Sequence, residues 1–589
     1  MGKLLGISEK AKLLAQAGFI FIWLTNLSPL AGTDTYYSVY LLCGVGALLC
    51  LCGNFRRRVE NNRRQRMVLA LFSALFSFAV LLANYSLFEP LSVLQNAFDW
   101  VCCFIGGYFA ARAVLRYLLN RQVPAAEAVR KHPRQVFFLV FISIAVIDLM
   151  YLLFCRYPGV LTTDSITTIQ QLTGLEDYDN TMPFWHTVTV QVFVKLGLLI
   201  FGNMNAAVAF FHGVQILFLA ACFAYALMTL YQTGIPGFGL MGIYFLYAVM
   251  PHQIAYSVTL WKDIPFAGAA LLFVTALYRL LRQAGKLKGI DLLVFAVGAM
   301  GLSLWRTNGW YAFAVTTIVM LFLLRKQYKP LLAIMAGVLV LCWVLLHPVL
   351  NVLGVKKTNY VEAFAVPFQQ IARVLANDRE LTEEETAMLC EIFWLDKVGE
   401  AYDPQTVDPV KFETFRYDRV SYITEHAADY AKLYFRLGQR YPEDYLKAWI
   451  EETKGYWNGG YKFWIYTKGV EDNPLGISAQ YGNNFLSRLF DALFRYLEKP
   501  EILQPLYSIG LYVWALIGCC LLNVLKRRKE FLLTIPILVL VVGLWLGTPV
   551  FAEFRYAYPI ILTVPVIIAV TLYPVREQED MPCPAGTES

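Results

Sequence analysis

Apolar runs of about twenty residues recur from one end of the chain to the other, separated by polar stretches in which Arg and Lys cluster. A helix of twenty residues rises about 30 Å, the thickness of the hydrocarbon layer of a bilayer. The hydropathy pattern predicts fourteen spans, at about 14–30, 37–53, 67–86, 95–115, 135–154, 205–230, 238–258, 264–282, 290–305, 309–325, 331–350, 502–523, 531–549 and 556–574. The predicted fold class is an all-α polytopic membrane protein.

The apolar segment 187–201 is set apart. It is short, carries Lys195 in its middle, and reads as an amphipathic helix lying along the interface. With that segment left out, every basic cluster falls on one side of the membrane. These clusters are 54–66, with six arginines and one glutamate, then 112–134, 279–288, 325–329 and 526–529. Basic loops stay cytoplasmic, so both termini are expected there and the polar region 351–500 outside.

That region mixes helical patterns with turn signals such as Asn458-Gly459-Gly460 and Asp472-Asn473-Pro474. Its Tyr and Trp content suits a membrane contact or a surface on which sugars stack. Four parts follow: a four-helix membrane scaffold over 1–134, a transmembrane core over 135–350 with an outer loop at 155–204, a mainly α extracytoplasmic domain over 351–500, and three spans with a cytoplasmic tail over 501–589.

Composition narrows the function classes. Apolar residues make up 58% of the 589 positions and charged residues 16%, against about 25% charged in soluble proteins. The net charge of +7 resides in the clusters between spans, where it sets topology and does not suggest nucleic-acid binding. Most of the twelve cysteines, among them Cys43, Cys50, Cys102, Cys103, Cys342, Cys519 and Cys520, sit in apolar runs, and no CxxC or zinc-type spacing occurs. The first apolar run is long enough to be retained as a span. Without targeting extensions or outer disulfides, a bacterial plasma membrane is the expected location.

Four predicted outer segments carry ionisable groups at the edge of the hydrocarbon, where such groups are expensive. The first runs from Arg156-Tyr157-Pro158-Gly159 to Asp164-Ser165 and on to Pro183, Trp185 and His186. Asp164 alone also suits a helix N-cap. The second is Trp261-Lys262-Asp263, preceded by Pro251-His252; Asp263 ahead of Ile264-Pro265 is likewise good cap chemistry. The third is Trp305-Arg306-Thr307-Asn308-Gly309, and the fourth Glu553-Phe554-Arg555-Tyr556, leading to Pro559.

The order of these segments resembles the GT-C superfamily of polytopic glycosyltransferases, in pattern its protein O-mannosyltransferases and aminoarabinose transferases. The resemblance is carried by Tyr157-Pro158-Gly159 and Asp164, by Pro183 and His186 leading a short helix, and by Gly202-Asn203. Trp261-Lys262-Asp263 and Arg555-Tyr556 with Pro559 continue it. It covers about 135–350 and 500–575 and implies a GT-C-like bundle in which the core is catalytic.

The resemblance implies inverting transfer of a sugar from a polyprenyl-phosphate donor to an extracytoplasmic glycan, lipid or protein. Asp164 is then the general base, with Asp263 as a second catalytic candidate. Arg555, Arg306, Lys262 and Tyr556 would hold the donor phosphate, because a guanidinium fork matches phosphate oxygens. His186, Trp185, Asn308, Glu553, Arg156 and His252 would position donor sugar or acceptor. Some family members use a divalent metal; His186, His252, Asp263 and Glu553 are available for one, and no HExxH-type spacing decides it. The rival readings are an O-antigen-type ligase or polymerase and a lipid-linked-sugar flippase or transporter. The first leaves the acidic loop 157–186 without a task, and the second predicts internal repeats.

Overall fold

Apolar runs too long for a soluble core become helices because each satisfies its own backbone hydrogen bonds, as hydrocarbon requires. The computed structural model describes residues 7–27, 37–57, 61–88, 93–121, 130–283, 287–324, 328–357, 364–461, 464–499 and 501–574. Among these the protein is all-α, with only isolated β-bridges between loops. Among the described residues ten helices are long and apolar enough to cross a membrane, eleven when a bent pair counts as one span. The protein is a multi-pass membrane protein.

The count differs from the fourteen expected. Nine expected spans are full-length helices, from Tyr37–Arg57 to the stretch ending at Gly547. The expected span at 238–258 is a pair, Gly237–Ala248 and Pro251–Ser257, bent by 49°. The break falls at Pro251, which cannot donate a backbone hydrogen bond. Three others are shorter helices, Gly289–Leu304, Ile509–Leu525 and Tyr558–Leu572. At 15 to 17 residues they rise about 22–26 Å, less than the hydrocarbon thickness. The first expected span is the helix Ile7–Leu27, which is not among the ten; its last three expected residues lie outside the described ones. The segment expected along the interface forms Phe184–Phe201, whose 18 residues have the length and apolarity of a span.

Asp263–Arg282 is the central helix, buried along nearly its whole length between Met204–Gln232, Gly289–Leu304 and Tyr558–Leu572. The first four helices pack around Ile20, Trp23, Leu27 and Tyr40. They join the rest through Phe72 and Phe76 against the Trp514 ring and through the Tyr40 hydroxyl, which donates to Asn458 Oδ1 at 2.9 Å.

The region 351–500 is not the separate domain that its polarity suggests. Residues between Ala365 and Tyr445 have their own apolar cluster, including Phe368, Ile371, Phe393, Leu433 and Leu437. That cluster is stitched to the ends of the membrane helices: Val407 N–H donates to the Pro549 carbonyl at 3.1 Å and Phe551 N–H to that of Gln405 at 2.9 Å. The later part, 464–499, threads back into the bundle end, where Phe490 and Phe494 pack on Tyr151. Its polarity arises from covering loops and helix ends.

Candidate functional site

Four chain segments far apart in sequence meet at one end of the bundle. After the helix Pro133–Cys155 the chain turns at Pro158-Gly159. Gly159 has φ of 135°, and a Cβ there would lie 2.2 Å from the His212 ring, so only glycine fits. Val160 then pairs with 258–260: its N–H donates to the Val258 carbonyl at 2.8 Å and its carbonyl accepts from Leu260 N–H at 3.2 Å. Leu161 pairs on its other side with 469–471, donating to the Gly469 carbonyl at 3.1 Å and accepting from Glu471 N–H at 3.0 Å. Each backbone group satisfied in this way fixes the residues that follow it.

The next residues start the helix Thr163–Thr173. Its N-cap is Thr162, whose N–H donates to Ser165 Oγ at 3.0 Å; Ser165 Oγ donates to the Leu260 carbonyl at 2.8 Å. The cap position is thus filled without Asp164. Its carboxylate instead receives Arg555 Nη1 at 2.7 Å. Arg555 stacks over Trp261 and Tyr556, 5.0 and 5.1 Å from the ring centroids, and its Nε lies 3.3 Å from Glu553 Oε1. The Trp261 indole N–H donates to Thr162 Oγ1 at 2.8 Å. These contacts hold the arginine fork before any ligand arrives.

A second ion pair lies behind the first. Arg306 donates to the buried Asp263, and its guanidinium stacks on the Tyr556 ring at 5.0 Å. Gly309 permits this turn, because a Cβ there would meet the Leu302 carbonyl at 1.8 Å. Lys262 Nζ donates to the Thr181 carbonyl at 3.0 Å.

A cleft of about 430 Å³ opens over Asp164 and Arg555. Its other walls are Thr162, Thr163, Trp261, Trp464, Tyr466, Thr467 and Glu471. Thr163 Oγ1 donates to Glu471 Oε2 at 2.7 Å. Burial works against the Asp164 carboxylate, but Lys262, Arg555 and Arg306 more than offset it and hold the group below the usual range. Burial likewise opposes the Arg555 charge, which Tyr556 and the surrounding carboxylates hold well above its ordinary value. Lys262 is drawn below its ordinary range by burial and by Arg306 and Arg555, against Asp164 and Asp263. Burial pushes the Glu553 carboxyl up to about 7, against the pull of Arg555 and with the help of Asp263 and Asp164.

Of the residues singled out from sequence, Asp164 and Arg555 line the cleft. Glu553 and Tyr556 touch Arg555 from behind, and Arg306, Asp263 and Lys262 form the layer beneath. Asp263 is therefore enclosed and held by Arg306, away from the cleft wall. His186 is buried in Phe184–Phe201 with Nε2 unpartnered, and Trp185 donates to the Leu345 carbonyl at 3.1 Å. Asn308 opens the helix that follows Arg306, with Oδ1 buried and unpartnered. His252 packs between the rings of Tyr507 and Phe554. Arg156 faces a different cavity. Among the described residues no three His, Cys, Asp or Glu side chains converge as a metal-ligand set.

The cleft residues that local sequence did not single out are Thr162, Thr163, Trp464, Tyr466, Thr467 and Glu471. The one signal toward Trp464 and Tyr466 is the aromatic richness of 351–500. Among known proteins, the model of a family of unknown function, DUF6020, matches residues 173–582. No curated protein and no solved structure matches the chain.

Proposed function

From the premise that the chain belongs to DUF6020, a family of unknown function, we propose that it is an inverting glycosyltransferase using a polyprenyl-phosphate sugar. The observation that carries this reading is the Asp164–Arg555 pair at the floor of a cleft walled by Trp261, Trp464 and Tyr466. A carboxylate kept ionised by neighbouring cations is a group able to accept a proton. Aromatic faces suit the apolar faces of a sugar ring, and the Arg555 fork suits phosphate oxygens.

In the proposed reaction an acceptor hydroxyl attacks the anomeric carbon while its proton passes to Asp164. The bond from that carbon to the phosphate oxygen breaks, and its electron pair leaves with the lipid phosphate. Arg555, backed by Arg306 and Lys262, neutralises the charge that develops there. The surrounding apolar helices suit a donor whose polyprenyl chain stays in the bilayer. On this reading the site faces outward, the extracytoplasmic acceptor is a glycan, lipid or protein, and the bundle is GT-C-like. Phe184–Phe201 then lies along the surface. In support, loop 177–180 before it pairs with Lys356, and Asn205 after it accepts from Ser478 N–H at 3.2 Å.

The test is transfer of radiolabelled sugar from a panel of polyprenyl-phosphate sugars by purified protein and by Asp164→Asn. Label moved to acceptor or water by the wild type alone supports the assignment. No turnover with any donor, with equal binding of lipid-linked glycan by both proteins, would move the reading to a ligase or a flippase.

A further inference from the structure

A second cavity of about 590 Å³ adjoins the first, and Tyr466 lines both. Four cationic side chains, Arg156, Lys468, Arg488 and Arg495, line it against two carboxylates, Asp491 and Glu498, leaving two net positive charges. Arg156 is 4% exposed and fixed. It lies between the rings of Tyr151 and Tyr481, 5.2 Å from each centroid, with Nη1 donating to the Cys155 carbonyl at 2.6 Å, Nη2 3.2 Å from Asp491, and a buried Nε that has no partner. Arg488 and Arg495, two turns apart on Phe485–Glu498, are exposed and make no ion pair among the described residues.

The surroundings of this cavity are apolar and open. Phe485–Glu498 rests Phe490 and Phe494 on Tyr151 but leaves Phe485, Leu489 and Tyr496 more than half exposed. Leu153 and Phe154, at the end of the helix that leads to Arg156, are also exposed. Such a helix, apolar along one edge with arginines beside it, has the character of one lying at a lipid surface. A soluble anion needs no apolar approach to a basic cavity; an anionic lipid needs both.

We propose that this cavity binds the phosphorylated headgroup of a membrane lipid, with its chains along Leu153, Phe154 and the exposed edge of Phe485–Glu498. Arg156, held by the Cys155 carbonyl and Asp491, supplies a fixed positive charge beneath the phosphate, and Arg488 and Arg495 supply the outer charges. The bound lipid sits beside the cleft, separated from it by Tyr466, whose hydroxyl donates to Glu498. This assignment does not depend on the sugar-transfer reading.

The test is native mass spectrometry of the full chain in detergent, titrated with phosphatidylglycerol, with phosphatidylcholine, and with phosphatidylglycerol in the presence of glycerol 3-phosphate. One saturable phosphatidylglycerol is expected, bound more tightly than phosphatidylcholine and not displaced by equimolar glycerol 3-phosphate. The double variant Arg488→Gln/Arg495→Gln, altered only at exposed positions, should lose roughly tenfold or more in phosphatidylglycerol affinity. Its phosphatidylcholine binding and thermal unfolding should not change. Equal affinity of wild type and double variant, or no preference between the two lipids, would overturn the proposal. Displacement by glycerol 3-phosphate would give the site to a soluble phosphate ester and overturn it equally.

Discussion

Arg555 Nη1 lies 2.7 Å from Asp164 Oδ2, joining residues 391 positions apart in the chain. Neither side chain is free to move far. Asp164 is in the first turn of a helix whose start is pinned by backbone pairing on both sides, and Arg555 is held between the Trp261 and Tyr556 rings. An ion pair so built, open to a cleft on one side and backed by Arg306–Asp263 on the other, is a preorganised charge arrangement.

Asp164→Asn should leave the fold intact, because the amide oxygen still accepts from Arg555 and the helix cap is Thr162. If Asp164 is the general base, transfer should fall by about 10²- to 10⁴-fold. Sugar-transfer assays beside thermal unfolding of the purified variant check this. Undiminished transfer removes the base from this position.

The Glu553 carboxyl, pushed up to about 7 by burial, sits 3.3 Å from Arg555 Nε. Below that pH it is neutral and the guanidinium is available to an anionic donor. As the pH rises through 7 the carboxylate forms and competes for the same cation, so donor affinity should fall. Glu553→Gln should flatten the dependence and leave tighter binding above pH 7. The check is donor KM measured from pH 5.5 to 8.5 for both proteins; an unchanged profile in the variant assigns the titration elsewhere.

The helical membrane architecture is legible because twenty-residue apolar runs admit no other solution. Helix length is less so. Hydropathy windows run past the helix ends at Ile509–Leu525 and Tyr558–Leu572, whereas Gly289–Leu304 has the length expected of it and is simply short for a span. Polarity alone also misrepresents 351–500, since a polar segment that covers helix ends has the composition of a free domain. Asp164 and Arg555 stand out in sequence as ionisable groups at span ends, yet nothing local encodes their meeting. The bridges from Val160 to Thr259 and from Leu161 to Val470 place Asp164, while the Phe551 and Glu553 N–H groups, donating to the Gln405 carbonyl and the Tyr456 hydroxyl, place Arg555. The bridge to Val470 also brings Glu471 and the segment of Trp464 and Tyr466 to the cleft, a placement that aromatic richness alone does not encode.

Asp263 is 1% exposed at its side chain, and one of its oxygens already lacks a partner. Arg306→Met should leave it unpaired and cost about 3–5 kcal/mol of stability. Adding Asp263→Leu should recover much of that loss, because two apolar groups replace the pair. Thermal unfolding of the single and double variants measures this. A single variant as stable as wild type would show that Lys262 or solvent compensates Asp263.

Trp464 is 44% exposed and meets the Trp261 ring edge to face at 6.0 Å, so it forms one wall of the cleft without carrying the fold. If that wall stacks on the donor sugar, Trp464→Ala removes ground-state and transition-state binding alike. KM for the donor should then rise by about three- to tenfold with kcat nearly unchanged. Trp464→Phe should restore most of it, since the stacking face is kept. Steady-state kinetics on the three proteins separate the cases: a fall in kcat with KM constant would mean that Trp464 positions Trp261, and through it Arg555, instead of meeting the sugar.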